Sequence, residues 1–518
     1  MVLPCTNPCP SFWIEAASSP LRDHRSTKDL QAKTDVLIIG SGYSGASIAY
    51  WLTKYTDSPP SITILEARDV CGGATGRNGG QLKPDWYISY PKWSALYGRE
   101  TALSLSNHER AHLRAFTELL AEEDIDCSFR AATAWEALMS DVEMARVTEA
   151  YESLRDIEGQ EAVSRLTFIK DPEEAERVTR IKGAVGAMQI PAGQIWPYKF
   201  VHGLLTRLLD RKLINLQAHT PATHVSSHPD TEGYIAVTTP RGVIRAKRVV
   251  HATNRWASHL LPQFEGIINP ALATICAVKA SPYYVEKPWE STVSIRWDGV
   301  INNYLSQFPP PLSTIIIGGA KEVLIKDPSS FIGSDAEDRL IPGVEEYFKG
   351  IPKRDFIGWD GPDVADLENA GVWTGVLASS VDAMPFVGKM PNYENQYIQA
   401  CFHGHGMPRI LGSSAHTTSL ILDSLGISYS TPRIAAIFPP LPSPFQLTQE
   451  RLSKVRAAAD KLKEASGKAS IQLPKVGSNG VDGTEMGTEK INVKEVAGDV
   501  EGYTAPLVDP LEGDPIFA

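Results

Sequence analysis

The spacing of hydrophobic positions changes along this chain, and each spacing predicts a different element. Asp35-Val36-Leu37-Ile38-Ile39 is a short, β-branched, nearly continuous apolar run, the pattern of a parallel strand buried on both faces. Ala46-Ser47-Ile48-Ala49-Tyr50-Trp51-Leu52 reads as a helix and Ile62-Thr63-Ile64-Leu65 as a second buried strand. From Glu100 to about Asp124, Leu103, Ala111, Phe116, Leu119 and Leu120 fall at amphipathic helical spacings. Met144, Val147, Tyr151 and Leu154 mark another such helix over Asp141 to Ile157. Asp171-Pro172-Glu173-Glu174 supplies the cap, the first-turn proline and the acidic first turn of a third. A longer helix follows over Tyr198 to Leu213, then a strand pair over Tyr234 to Thr238 and Val243 to Arg245, and a buried strand at Arg248-Val249-Val250-His251. From Ile267 to about Gly371 the texture becomes short runs such as Thr274 to Ala280 and Thr314 to Gly319, which predict a mixed or antiparallel sheet. Pro408 opens a helix through Ile410 to Leu425, and a charged helix over Gln449 to Lys468 leads into a tail expected to be disordered.

The first strand runs straight into Gly40-Ser41-Gly42-Tyr43-Ser44-Gly45. Gly40 permits the tight strand-to-helix turn, Gly42 lets the backbone approach a pyrophosphate, and Gly45 allows close packing of helix on strand. The helix N-terminus, with the Tyr43 and Ser44 amides, offers unpaired N–H groups and a positive dipole end to phosphate. The second strand ends at Glu66, about twenty residues past the last glycine. A carboxylate there accepts hydrogen bonds from ribose hydroxyls and repels a 2′-phosphate, so the nucleotide expected is of the non-phosphorylated ADP type.

Composition narrows the partners. With 518 residues the chain exceeds one ordinary core, so two or more structural units are expected. Lys plus Arg is 50 and Asp plus Glu is 61, giving a net charge of −11 that favours neither nucleic acid nor an anionic membrane surface. No apolar run approaches the roughly 18 residues of a membrane helix. Met1 to Pro10 lacks the pattern of a signal peptide and Pro515-Ile516-Phe517-Ala518 carries no peroxisomal tripeptide, so a cytoplasmic protein is expected. Six scattered cysteines, Cys5, Cys9, Cys71, Cys127, Cys276 and Cys401, suit a reducing compartment. Cys5 and Cys9 stand close enough for a clip, but no second pair completes a zinc set, and no metal is expected.

A second glycine-rich stretch follows Glu66-Ala67-Arg68, with five glycines between Gly72 and Gly80 in Cys71-Gly72-Gly73-Ala74-Thr75-Gly76-Arg77-Asn78-Gly79-Gly80-Gln81-Leu82. Here the chain resembles the D-amino acid oxidase-like FAD oxidoreductases, within them the subgroup of gamma-glutamylputrescine oxidoreductase. The resemblance implies FAD as cofactor, with Ala67 and Arg68 among the residues that bind it, Thr75, Gly76 and Arg77 toward the pyrophosphate and ribityl chain, and Asn78, Gly79 and Gly80 toward the ring. It also implies a backbone contact to the adenine at Val225 and a small-residue turn near the cofactor at Ala252-Thr253-Asn254. Asp382 to Gly388 and Cys401-Phe402-His403-Gly404-His405-Gly406-Met407-Pro408-Arg409 match the family's C-terminal signature, so the resemblance covers roughly Thr34 to Gly426. Gly404, His405, Gly406 and Met407 then lie at the ring, with the following helix aiming its positive end at it. His405 is the candidate charge partner or proton handler, whereas His403 reads as structural. Gly375, seven residues before Asp382, stands where some relatives tether the flavin to cysteine; Cys401 leaves a different tether open. Ile316 falls near the oxygen-activating lysine of sarcosine oxidases.

The fold implied is α/β: a Rossmann-like FAD-binding domain of glutathione reductase type with an inserted α+β substrate domain of mixed or antiparallel sheet. The expected units are an N-terminal arm over 1–33, FAD-binding segments over 34–99, 186–266 and 372–430, a helical part of the substrate domain over 100–185 and its sheet over 267–371. A helix and tail occupy 431–518. The arm, with Phe12-Trp13, is expected on the surface, and Leu82 to Tyr87 on the substrate side of the ring, with Trp297, Tyr304 and Trp359 as candidate cavity walls. The activity implied is hydride transfer from a carbon bearing an amine nitrogen to flavin N5, with O2 as acceptor and His405 or Arg77 supplying positive charge near the ring. Two alternatives stand beside it: a flavin dehydrogenase or oxidative cyclase of specialised (secondary) metabolism, and a protein that binds FAD without catalysis.

Overall fold

The structure is a computed structural model that describes residues 3–469; the tail expected beyond the last helix falls outside them. Two sheets organise the chain. In the first, the strands lie in the order Phe386–Lys389, Gln396–Ala400, Gly242–His251, Lys33–Ile39, Ile62–Leu65 and Ile214–Gln217. Every pairing from Gln396–Ala400 to Ile214–Gln217 is parallel. Helices cover such a sheet, which is why its strands read as continuous apolar runs. The helix Tyr43–Lys54 packs against both Ile410–Leu425 and Pro197–Asp210, and Tyr43 through Leu52 are buried.

The second sheet runs Leu367–Ser379, Asn269–Val278, Ile315–Gly319, Asn302–Gln307, Thr292–Arg296, Arg130–Leu138, Gly186–Gln194 and Gln81–Leu82. Its pairings are antiparallel except Thr292–Arg296 against Arg130–Leu138. The molecule is thus a Rossmann-like layer joined to an α+β layer of mixed sheet.

The boundaries differ from the expected ones in three places. Residues 100–185 are not all helical: Arg130–Leu138 is a strand whose alanines and glutamate favour helix, overridden by partners on both edges. Gly186–Gln194 does not enter the nucleotide-binding sheet but pairs with Arg130–Leu138 along its whole length, and Val372 to Ser379 likewise stays in the second sheet. Residues 3–33 are no surface arm. A short helix, Phe12–Glu15, buries Phe12, Trp13 and Ile14 in the main core. Cys5 and Cys9 are both free thiols.

Four buried histidines lie in or behind the first sheet. On the helix Arg99–Glu123, His112 Nε2 accepts from the Gly412 N–H at 3.2 Å and His108 Nε2 donates to the Arg409 carbonyl at 3.2 Å. His251 bonds Gln396 at 2.9 Å and His202 the Val70 carbonyl at 3.2 Å. Burial pushes His108, His202 and His251 down to about 4, and His112 well below its ordinary value. The unfolded chain therefore binds more protons than the folded one as pH falls from about 6.5 toward 4, and stability is lost across that window. Each such group removes up to about 1.4 kcal/mol per pH unit. Denaturant unfolding of the protein at pH 7, 6, 5 and 4.5 should show a steady fall in stability; a flat profile would contradict these neutral burials.

Candidate functional site

A cavity of about 280 Å³ lies between the two layers, and its walls differ in chemistry. One wall is made of turns. Gly40 sits at φ +109°, where a Cβ would stand 2.6 Å from the Ala252 carbonyl oxygen, and a Cβ on Gly45 would stand 1.9 Å from the Gly40 oxygen. Glycine is required at both points because backbone already fills the space. Gly42 caps the helix Tyr43–Lys54 without a side-chain hydrogen bond, so the first turn presents its amides to the cavity, with the Tyr43 N–H donating to Thr75 Oγ1 at 3.1 Å. Glu66 is held at the wall by the Ser41 N–H (3.0 Å) and hydroxyl (2.7 Å) on Oε2 and by the Arg68 N–H (3.0 Å) on Oε1. Its remaining lone pairs are available to a ligand. The Thr253 hydroxyl, buried in the same wall, has no protein partner. Vacant amides, a carboxylate with spare acceptors and an orphaned hydroxyl fit a dinucleotide.

Of the expected cofactor residues, Gly40, Gly42, Tyr43 and Ser44 line this cavity, as do Glu66, Ala67, Arg68, Thr75, Arg77 and Asn78 through Gly80. Thr253 and the run Gly404 to Met407 line it too. Three do not. Gly45 lies behind its turn against the strand, and Gly76 packs on the Cys71 carbonyl and Ile14. Val225 pairs with Val237 in a buried strand, and Pro221 and Ala222 stand in the wall instead. Arg77 reaches the wall, but its guanidinium turns back under its own loop, with Nε on the Gly72 carbonyl and Nη1 on the Thr374 carbonyl, both at 3.0 Å. It ties loop to strand, and its charge faces Glu337 at 3.9 Å.

The opposite wall comes from the second sheet and the segment after Gly80. Lys83, Asp85, Trp86, Tyr87, Glu136, Arg296 and Tyr304 line it, while Trp297 and Trp359 pack into the second core. Glu136 accepts from Lys83 Nζ at 2.6 Å, from Arg296 Nη1 at 3.3 Å and from the Tyr87 hydroxyl. Arg296 continues through Nε to Glu143 at 2.7 Å. Burial alone would raise the Glu136 carboxyl, but Lys83 and Arg296 outweigh it and bring it down to about 2. Burial lowers Lys83 despite Glu136.

Between the walls stands a third group. His405 Nε2 lies 2.9 Å from Glu109 Oε2, and Arg409 Nε donates to Glu109 Oε1 at 2.7 Å. Burial acts to raise the Glu109 carboxyl, yet His405 and Arg409 lower it to about 2. Asp85, whose N–H also donates to Glu109 at 2.7 Å, has its own carboxyl raised by burial and then by the Glu109 charge. Sequence reasoning missed Glu109, Glu136 and Arg296; it placed Lys83 and Asp85 in the run Leu82 to Tyr87 on the substrate side, and Arg409 in the C-terminal signature, without giving any of the three a role. The signal for Glu109 was its place on a helix face shared with Leu105, His112 and Phe116, a stripe that turns out to be the buried one. Cys401 is buried in a separate core, off the cavity, and Ile316 is buried in the second sheet.

Comparison with known proteins follows the same lines. The family model described as FAD dependent oxidoreductase (DAO) matches residues 35–420. The chain is 27% identical over 379 residues to gamma-glutamylputrescine oxidoreductase of Escherichia coli (strain K12), covering 72% of this chain and 80% of that one. It is 24% identical over 389 residues to the probable oxidoreductase OrdL of Rhizobium meliloti (strain 1021), with the same coverage. Glycine oxidase from Geobacillus kaustophilus superposes with a TM-score of 0.61 at 19% identity, over 81% of this chain and 99% of that one, a likeness of fold. The chain belongs to the DAO family of FAD-dependent oxidoreductases: it is an enzyme, and its cofactor is FAD.

Proposed function

We propose that this enzyme oxidises a carbon–nitrogen bond of an amine or amino acid, with FAD along the wall of turns and the substrate against the charged and aromatic wall opposite. The observation that carries this reading is the pairing of two unlike walls in one cavity. A ligand held for structure alone needs no second wall of buried charge. In this arrangement Glu66 takes the ribose hydroxyls, the amides after Gly42 take the pyrophosphate, and Asn78 to Gly80 face the ring. The N-terminus of Ile410–Leu425 brings its positive end to the same place. FAD supplies a two-electron acceptor for the hydride leaving the carbon next to nitrogen.

The nitrogen must be uncharged for its lone pair to assist hydride loss, so the site needs an acceptor for an ammonium proton. Asp85 supplies it. Its Oδ1 is fixed by the Tyr87 N–H at 3.2 Å and the Ser89 N–H at 3.3 Å, and its raised carboxyl exchanges protons closer to neutral pH. His405 is held by Glu109 beside it, and Tyr304 closes the cavity over Gly79, where a Cβ would meet its ring at 2.3 Å. O2 is the electron acceptor we put forward, with His405 and Lys83 as the cavity side chains able to bring positive charge; Arg77 is committed to backbone carbonyls. Free thiols throughout the described residues agree with a reducing compartment, the cytoplasm. Among the described residues no helix is long and apolar enough to cross a membrane.

Anaerobic mixing of the holoenzyme with a panel of amines and amino acids should bleach the flavin band with at least one of them; a panel that leaves the band intact counts against the reading. In air the same substrate should release peroxide, and turnover without peroxide would instead mark a dehydrogenase or an oxidative cyclase of specialised metabolism. Asp85→Asn should slow flavin reduction by about 10²-fold and flatten the acid limb of its pH profile. Glu109→Gln leaves Arg409 buried without its counter-charge and should cost about 3 kcal/mol in denaturant unfolding of the FAD-free protein.

A further inference from the structure

Residues 3–15 are absorbed neither by the dinucleotide turns nor by the substrate wall, yet they reach the cavity at its rim and back its second loop. Leu3 and Pro4 stand in its wall beside Glu66, Ala67 and Arg68. This strap is fastened by Arg68 Nη1, which donates to the Cys5 carbonyl at 3.0 Å and to Glu337 Oε2 at 2.8 Å, and by the Cys9 N–H, which donates to the Glu337 carbonyl at 2.7 Å. The short helix that follows sits behind the second glycine-rich loop. Ser11 Oγ donates to the Gly76 carbonyl at 2.6 Å, and Trp13 Nε1 donates to the Asn78 carbonyl at 2.5 Å. Trp13 is fully buried, its own carbonyl accepts from Trp196 Nε1 at 2.9 Å, and its ring lies where a Cβ on Gly80 would come within 2.8 Å.

We propose that residues 3–15 form a clasp for the cofactor, in which Leu3 to Cys9 cover the ribose end and Trp13 positions the ring-facing amide of Gly79. The proposal rests on the placement of FAD given under Proposed function. The positioning follows from the planarity of the peptide. In a trans peptide the C=O and N–H point in opposite directions, so a carbonyl of Asn78 turned onto the indole directs the Gly79 N–H away from it. Gly79 is in the cavity wall, so the indole settles which way a ring-facing donor points. The Gly80 N–H is fixed from the other side by Asn78 Oδ1 at 2.9 Å, so the peptides on both sides of Gly79 are tied down. Trp13 thus acts through the loop, as a positioning residue. The strap works differently: it must be displaced from Arg68 and Glu337 before the ribose end can open, which slows release of the cofactor.

The two parts are separable by experiment on the full-length holoprotein. Three variants are compared with wild type: deletion of residues 1–8, Trp13→Phe and, as a control on the site itself, Gly42→Val. FAD release is read by recovery of flavin fluorescence after dilution, the ring environment by the visible band and the midpoint potential, and folding by far-UV circular dichroism. The deletion should release FAD about tenfold faster with an unchanged band. Trp13→Phe keeps an aromatic ring at the site and loses the hydrogen bond to Asn78, so its band and potential should shift while release stays within about threefold. If the deletion does not fold, Cys9→Pro removes the N–H given to Glu337 and should speed release in the same direction. Release at the wild-type rate, or an unmoved band and potential in Trp13→Phe, overturns the clasp while loss of FAD uptake by Gly42→Val leaves the site standing. Full uptake by Gly42→Val overturns the placement of FAD and the clasp with it.

Discussion

Between the Gly40 carbonyl and Gly45 there is no room for a side chain, and much of the molecule follows from that contact. It sets the height of the helix Tyr43–Lys54 on the strand Lys33–Ile39, so that the first turn of the helix opens at the carboxyl edge of the parallel sheet. The helix Ile410–Leu425 packs on that same helix, and the residues just before it, Gly404 to Met407, reach the same cavity. Two positive helix ends therefore meet one space from two parts of the chain. Neither N-cap residue supplies a side-chain cap, but some first-turn amides are already taken: the Tyr43 N–H by Thr75, the Ile410 N–H by the Gly406 carbonyl and the Gly412 N–H by His112.

Charge is the second constraint. Glu109 and Glu136 are both buried, and in each case burial pushes toward protonation while close cations win. Their partners come from different elements: Glu109 from a helix of the insertion and His405 and Arg409 from the C-terminal loop, Glu136 from a strand of the second layer and Lys83 from the segment just after Gln81–Leu82. Such pairs add little net stability, since desolvation consumes most of the attraction. Their effect is geometric. Each ties together segments far apart in the chain at a fixed pair of atoms.

What was legible in the sequence was whatever local sterics or period determine. The parallel strands showed as continuous apolar runs because both faces are covered, and Ile410–Leu425 showed from Pro408 just before it. The glycine turn and Glu66 were legible because their requirements lie within a stretch of some thirty residues. Arg130–Leu138 was hidden by alanines whose intrinsic preference loses to two neighbouring strands. Glu109 was hidden because a charged residue on a helix reads as solvated, and the side chains that pair with it lie 296 and 300 positions away. Phe12-Trp13 was hidden because a four-residue helix has no period to detect. The resemblance to FAD oxidoreductases carried the cofactor, yet it could not foresee that the Arg77 guanidinium would be spent on the Gly72 and Thr374 carbonyls.

The order of the strands has a mechanical consequence. The chain passes from the first sheet to the second after Ile62–Leu65, returns after Gly186–Gln194, leaves again after Gly242–His251 and comes back after Leu367–Ser379. Four passages rivet the layers together at separate points, where a hinged enzyme would have one or two. Opening the space between them by swinging one layer away would strain every rivet at once. Traffic in and out is left to small gates, loops and single side chains at the rim, so the bulk of what this enzyme accepts is governed by the width of a doorway.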